Sequence, residues 1–308
     1  SPTPVNVKNL SSGVAYVGTG DYHSCALTTS GAVWCWGYNT YGQLGDASTT
    51  NRSTAVQAIA SGATQLAVGS NHNCALVQGQ AKCWGYNGQG QLAQGVIATN
   101  ASDYTNRTSP TAVPDLGYNI SAISAGAVQT CFVIYGGVMC SSVSANISGS
   151  TSRSATYPTP VEGLPPGSDV KGIIASGYDL TCVVAGSSAT GKCWGNNSYG
   201  QLGNASTTNS AQAVSVSTIS GITALSSSGY ASGICALYTS GSTGIPNCWG
   251  YNSQGQIGDG STTSRTTPVA VSGIASGATS IAMGGYSTCI IASGTLKCTG
   301  QNDWGQLG

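Results

Sequence analysis

Charge is what this sequence has least of. Asp, Glu, Lys and Arg make up 6% of its 308 residues, with a single glutamate, Glu162, and no two basic residues side by side. Nine positive side chains balance nine negative ones, so the electrostatic footprint of a nucleic-acid binder or a membrane-surface binder is missing. Low charge is also a mark of membrane proteins, yet no apolar run approaches the roughly 18 residues that a spanning helix needs. Helix formers other than Ala are scarce, whereas glycine alone supplies 45 residues. No leader is visible at Ser1, which is compatible with a mature form from which one was cut. Catalytic signatures are absent too: H-E-x-x-H, G-x-S-x-G and a P-loop do not occur, and the eight aspartates are scattered. The sequence therefore predicts neither an enzyme nor a cofactor.

What is present is cysteine, in six pairs: Cys25/Cys35, Cys74/Cys83, Cys131/Cys140, Cys182/Cys193, Cys235/Cys248 and Cys289/Cys298. Each pair brackets a turn signal. If Gln78 and Gly79 form a two-residue hairpin loop, Val77 faces Gln80 and Cys74 faces Cys83; the same count opposes Cys131 to Cys140 and Cys289 to Cys298. Directly opposed Cβ atoms lie about 4.5 to 5.5 Å apart, within reach of an S–S bond. Zinc is the competing reading and fits badly, because no C-x-x-C occurs and His23 and His72 cannot serve six sites. Six disulfides within the repeats, and no metal, are the expectation, which points to an oxidising compartment, secreted or at the cell surface.

The cysteines keep step with other landmarks. CWGYNTYGQL from Cys35 returns as CWGYNGQGQL from Cys83, CWGNNSYGQL from Cys193, CWGYNSQGQI from Cys248 and, weakly, CTGQNDWGQL from Cys298. A glycine stands five residues before most first cysteines (Gly20, Gly69, Gly126, Gly177, Gly284), and a small residue or proline followed by valine stands further upstream, from Pro4-Val5 to Pro268-Val269. First cysteines are spaced by 49, 57, 51, 53 and 54 residues, the period of a propeller blade. Each unit offers about four short strands, and an isolated sheet of that size leaves two apolar faces bare. Stacking the sheets around an axis covers them.

The motif G-x-x-H-x-C-A-L, seen as GDYHSCAL from Gly20 and GSNHNCAL from Gly69 and followed by CWGYNTYGQLGD from Cys35, resembles the repeat of the RCC1 family of β-propellers. The resemblance implies an all-β fold: a single RCC1-like β-propeller domain over 1–308, with six repeats at approximately 1–52, 53–108, 109–157, 158–210, 211–265 and 266–308. Its ring is expected to be closed by the N- and C-terminal segments sharing a blade. The family commonly has seven repeats, so a seven-bladed form is the alternative. The third repeat departs, with CSSVSANISG in place of the CWG phrase. Paired cysteines resemble secreted bacterial members rather than intracellular ones.

Repetition assigns roles. Trp36, Trp84, Trp194 and Trp249, with Leu44, Leu92, Leu202, Ile257 and Leu307, are expected to pack neighbouring blades. The asparagine two residues after W-G is expected to cap a turn, and His23 and His72, at matching places, are expected to be structural. Asp46 and Asp259 recur in G-D-[AG]-S, with too few carboxylates for a calcium loop. Two variable loop positions hold Tyr38, Tyr41, Tyr86, Tyr199, Tyr251 and Trp304, and the insertion GVIATNASDYTNRTSP adds Tyr104. Such aromatics on one face form a candidate surface for protein or glycan recognition; the bland alternative is that each shields its own turn. The expected partner is an extracellular protein or glycan, in an adhesin-like module without nucleic-acid binding or membrane insertion. The alternative is a structural subunit that packs against copies of itself. The resemblance adds two readings: exchange factor for a small GTPase, which conflicts with the disulfides, and secreted inhibitor of an enzyme such as a β-lactamase.

Overall fold

The computed structural model describes residues 4–95, 105–142, 155–176, 180–227, 233–240 and 243–308. They form 23 strands in six antiparallel sheets and two compact units, one built on the residues before Pro160, the other on 160–308. The first unit holds three sheets: β1 (Val14–Thr19), β2 (His23–Thr28), β3 (Val33–Gly37) and β4 (Arg52–Ile59); β5 (Ala63–Val68), β6 (His72–Val77), β7 (Gln80–Gly85) and β8 (Arg107–Ala112); β9 (Ile120–Ala125), β10 (Thr130–Ile134), β11 (Gly137–Ser142) and β12 (Ala155–Pro160). In the second unit the sheets are β13 (Val170–Ser176), β14 (Leu180–Ala185), β15 (Thr190–Gly195) and β16 (Ser210–Ser215); β17 (Ile222–Ser227), β18 (Gly233–Ser240), β19 (Thr243–Gly250) and β20 (Arg265–Ala270); and a three-stranded sheet of β21 (Ala278–Met283), β22 (Ser287–Ala292) and β23 (Thr295–Gly300). Six such sheets are consistent with an RCC1-like β-propeller.

Every cysteine lies on the second or third strand of its sheet, opposite its partner. Cys74 pairs with Cys83 and Val77 with Gln80, as the hairpin count requires. Gln78 and Gly79 both have positive φ, as do Tyr135 with Gly136 and Ser293 with Gly294, which is the backbone of the tight primed turn. All six disulfides form, each across Cα atoms 4.1 Å apart. The glycine after each tryptophan is fixed by close approach: Gly85 has φ +102°, and a Cβ there would lie 2.7 Å from the Asn71 carbonyl.

The core lies between successive sheets rather than inside any one. Cys25, Leu27, Val33, Cys35 and Leu44 meet Leu66, Ala75, Val77 and Trp84 of the next sheet. In the second unit Cys182, Val184, Cys193 and Leu202 meet Ile222, Ile234, Ala236 and Trp249 in the same way. Interior strands bury both faces, so β6 (HNCALV) shows no polar alternation although it carries His72 and Asn73.

The sheets are out of phase with the repeats as written. The small-residue-plus-valine landmark that opens a repeat is the outer strand of the preceding sheet: Ala55-Val56 lies in β4, and Cys35 pairs with Val56. Residues 4–13 contain no strand, and the β21–β23 sheet takes no fourth strand from them. The blade shared between the first and last segments is therefore not formed among the described residues. Most of the divergent phrase of the third repeat lies outside them.

Candidate functional site

Each W-G-x-N-x-x-G-Q-L phrase is a loop that leaves one sheet and docks on the next. Asn39 organises the first. Its Nδ2 donates to Asp46 Oδ1 (3.1 Å) and to the carbonyls of Ser48 and Thr50 (both 3.1 Å), while its Oδ1 accepts from the Leu44 amide (2.8 Å). Asn197 and Asn252 repeat this, and Asn87 and Asn302 keep the bond from the leucine amide. With its turn closed, the loop aims the Gln43 carbonyl at the next sheet, where it accepts from Trp84 Nε1 (3.0 Å) and Asn73 Nδ2 (2.7 Å). Gln201 does the same for Trp249 (2.9 Å). Trp84, Trp194 and Trp249 are fully buried, as are Leu44, Leu92, Leu202 and Ile257. The members of these two series at the terminal repeats, Trp36 and Leu307, are only half-buried.

The two histidines belong to the same joints. His23 Nε2 lies 2.9 Å from Asn73 Oδ1, and His72 Nε2 lies 2.8 Å from Thr130 Oγ1. Asn73 donates onward to Gln43, and Thr130 donates to the Gln91 carbonyl (2.8 Å). Both acceptors therefore take a proton from the imidazole, which makes each ring the Nε2–H tautomer. The opposite nitrogens, Nδ1 of His23 and His72, are buried without a hydrogen-bond partner. Burial, with a smaller contribution from the neighbouring His23, accordingly pushes the His72 pKa down from 6.5 to about 3. Burial lowers that of His23 as well, against the opposing hydrogen bond to Asn73 and the charge of Asp21. The landmark glycines make room for these rings, since a Cβ on Gly69 would lie 2.7 Å from His72 Nδ1. Neutral, fixed and facing into the core, both histidines are structural.

Asp46 and Asp259 close loops. Asp46 Oδ2 accepts from Arg52 Nε (2.9 Å) and Oδ1 from Ser48 Oγ (2.7 Å); Asp259 is held likewise by Arg265 and Ser261. Burial alone would raise both pKa values, but the hydrogen bonds and the arginine charge hold them below the ordinary value. Among the described residues no group of three or more His, Cys, Asp and Glu is placed to hold a metal ion.

The aromatic candidates fall into separate groups. In the first unit Tyr38, Tyr41 and Tyr86 come together, and Tyr22, which the motif reading missed, joins them. Tyr22 and Tyr38 have ring centroids 6.2 Å apart, Tyr38 and Tyr41 6.1 Å, and Tyr41 and Tyr86 4.8 Å, in edge or tilted contacts. All four lie where β2 begins and where β3 and β7 end, and with Asn71 three of them line a concavity of about 380 Å³. Tyr22 is 76% exposed. The signal for Tyr22 was its place directly before His23 in GDYHSCAL. In the second unit Tyr199 meets Tyr251 at 4.7 Å, the counterpart of the Tyr41–Tyr86 pair. Trp304 is 91% exposed and makes no ring contact among the described residues. Tyr104 lies outside them.

Three comparisons place these observations among known proteins. Models of the "Regulator of chromosome condensation (RCC1) repeat" match residues 14–43, and residues 30–76 and 248–291. The probable E3 ubiquitin-protein ligase HERC4 of Homo sapiens is 42% identical over 59 residues, and that of Mus musculus 44%; the match covers 19% of this chain and 6% of the relative. The chain thus corresponds to a small part of the curated relatives it matches. Among solved structures, human WBSCR16 aligns over 100% of this chain and 81% of its own, with a TM-score of 0.81 and 18% identity. Yeast RCC1 (Prp20), solved bound to Kap60, aligns over 94% and 70%, with a TM-score of 0.74 and 22% identity.

Proposed function

We propose that this chain of RCC1-like repeats is an extracellular, non-enzymatic binding module that receives a protein or a glycan on the tyrosine surface of its first unit. The observation that carries the reading is the run of four tyrosine rings in contact, three of them lining a concavity, with Tyr22 largely bare. Aromatic rings with polar tips supply contact area at little entropic cost. An RCC1-like propeller is a protein-binding fold, and the solved yeast relatives are described with Kap60 or with Gsp1p and histones. Six disulfides fit an oxidising, extracellular setting, and no described helix is long and apolar enough to cross a membrane. The test is a glycan array and a set of purified surface proteins probed with wild type and with the Tyr22→Ala/Tyr38→Ala/Tyr41→Ala variant. A ligand held by wild type and released by the variant supports the reading; equal capture by both removes it.

A second reading, a structural subunit of an extracellular assembly, is favoured by the joint residues left uncovered at the terminal repeats. The Asn302-held loop leaves Trp304 exposed and Leu307 half-buried, and Trp36 is half-buried where Trp84 and Trp249 are fully buried. The loop of one copy meeting Trp36 of another would repeat the internal joint head to tail, a heterologous contact that extends into rings or filaments. Light scattering across concentration discriminates: mass growth abolished by Leu307→Asp favours assembly, and a strict monomer excludes it.

A further inference from the structure

Among the described residues the last sheet is the one without a fourth strand, so its third strand, β23, has an open edge. The gap shows at the cysteines. Cys35, Cys83, Cys140, Cys193 and Cys248 are fully buried, whereas Cys298, at the matching place on β23, is only half-buried. What belongs on that edge can be read from the other sheets. One residue of the fourth strand stands opposite the glycine that ends the third (Gly37 with Arg52, Gly195 with Ser210, Gly250 with Arg265), and further along a valine stands opposite the cysteine (Cys35 with Val56, Cys193 with Val214, Cys248 with Val269).

The loop of the preceding sheet is built to receive the same strand. A Cβ on Gly42 would lie 2.8 Å from Thr108 Cγ2, and the Ala47 amide donates to the Thr108 carbonyl (2.9 Å); Gly200 and Ala205 meet Thr266 at the same distances. Before the last sheet this loop is present but uncovered. A Cβ on Gly255, the match of Gly42 and Gly200, would meet nothing nearer than the Ser261 carbonyl at 3.7 Å. The Gly260 amide, the match of Ala47 and Ala205, donates to no acceptor among the described residues. Gly255, Gly260 and Ser261, with Val271, Ile274 and Thr299 among others, line an open cavity of about 450 Å³ there.

The chain itself carries a strand of the required kind. Ser1-Pro2-Thr3-Pro4-Val5 reads like Arg265-Thr266-Thr267-Pro268-Val269, and Val5 precedes β1 by the same interval at which Val269 precedes β21. Residues 4–13 join no sheet, and Val5 is 71% exposed, while its counterparts Val56, Val214 and Val269 pack against the core. We propose that the edge of β23 receives residues 1–7 of a second copy, with Val5 opposite Cys298, Ser1 opposite Gly300 and the Pro2 carbonyl accepting from the Gly260 N–H. Main-chain pairing on an open edge gives affinity, and the valine fixes register. The donated strand then runs on into β1 of its own copy, as β20 runs on into β21 within one chain, so the contact is heterologous and continues from copy to copy. It rests on the assembly reading, to which it adds a donor and an acceptor.

The test is light scattering across concentration on wild type, on Val5→Asp and on wild type with an excess of the peptide SPTPVNV, together with hydrogen exchange at the Gly260 amide. Val5 is exposed in the single chain, so the substitution leaves the fold intact; opposite Cys298 it buries an unpaired carboxylate and should weaken association at least about 10-fold. Wild-type mass should rise with concentration, and both the peptide and Val5→Asp should abolish the rise. Gly260 should exchange slowly in the associated or peptide-bound protein and fast in Val5→Asp. Mass growth that persists in Val5→Asp overturns the strand contact and leaves the assembly reading standing. A strict monomer overturns both, and a slow Gly260 amide in that monomer would mean that the chain's own segment lies on the edge.

Discussion

Lowering the pH should loosen the joint between the second and third sheets through one residue, His72. Its imidazole is held neutral, with Nε2–H spent on Thr130 and Nδ1 buried without a partner, so the pKa falls from 6.5 to about 3. A base whose folded pKa is lowered stabilises the fold fully above its unfolded pKa, and the contribution is lost as pH falls through that value toward the folded one. The window therefore opens near pH 6.5 and extends to about pH 3. At about pH 5 the unfolded histidine is roughly 1.5 units below its pKa, which costs the fold about 2 kcal/mol relative to pH 7.5. Asp46 and Asp259, also lowered, add nothing there, because their contribution is lost only below the ordinary value of 3.8. His72→Gln provides the control, since Gln129 occupies the equivalent place in the third sheet and an amide can still donate to Thr130. Urea unfolding of the disulfide-intact protein, followed by tryptophan fluorescence at the two pH values, measures the difference. Wild type should lose about 2 kcal/mol more than the variant. His23, also lowered, acts with the same sign in both proteins and leaves that difference intact. Equal losses would refute the reasoning.

Other joints give further expectations. Asn39→Ala removes a buried side chain that bonds one amide and two carbonyls and should cost about 2 to 4 kcal/mol in denaturant unfolding. Trp249→Ala empties the joint between the two sheets around it and should cost about 3 to 5 kcal/mol, with Trp249→Phe losing less but still leaving Gln201 without its indole donor. Replacing Cys74 and Cys83 together by Ala should cost roughly 2 to 3 kcal/mol, the entropy of a short loop, and leave the other five bridges intact by mass spectrometry of the non-reduced protein.

Much of this was legible in the sequence because the interactions repeat at fixed spacing. Cys74 and Cys83 can be opposed by counting from Gln78-Gly79, since a two-residue turn fixes register. Asn39 and its counterparts could be assigned to turns for the same reason. The phase of the sheets was not legible: Ala55-Val56 reads as the start of a repeat, yet strand pairing is a long-range contact, and β4 completes the sheet before it. The aromatic surface was half legible. Tyr38, Tyr41 and Tyr86 recur in loops, but Tyr22 enters from the start of another strand, and only folding brings it within 6.2 Å of Tyr38. Thr299 reads as a weak copy of the phrase; that a cavity opens beside it depends on Gly258, Val271 and Ile274, which are far from it in sequence.

The tyrosine surface is tested most directly by hydroxyl-radical footprinting of the protein with and without the ligand captured on the array. Tyr22, Tyr38 and Tyr41 should become protected on binding, while Tyr118 and Tyr135, exposed near the hairpin turns at the other end of their strands, should not change. Protection at Tyr118 and Tyr135 with Tyr22, Tyr38 and Tyr41 still fully oxidised would contradict the account.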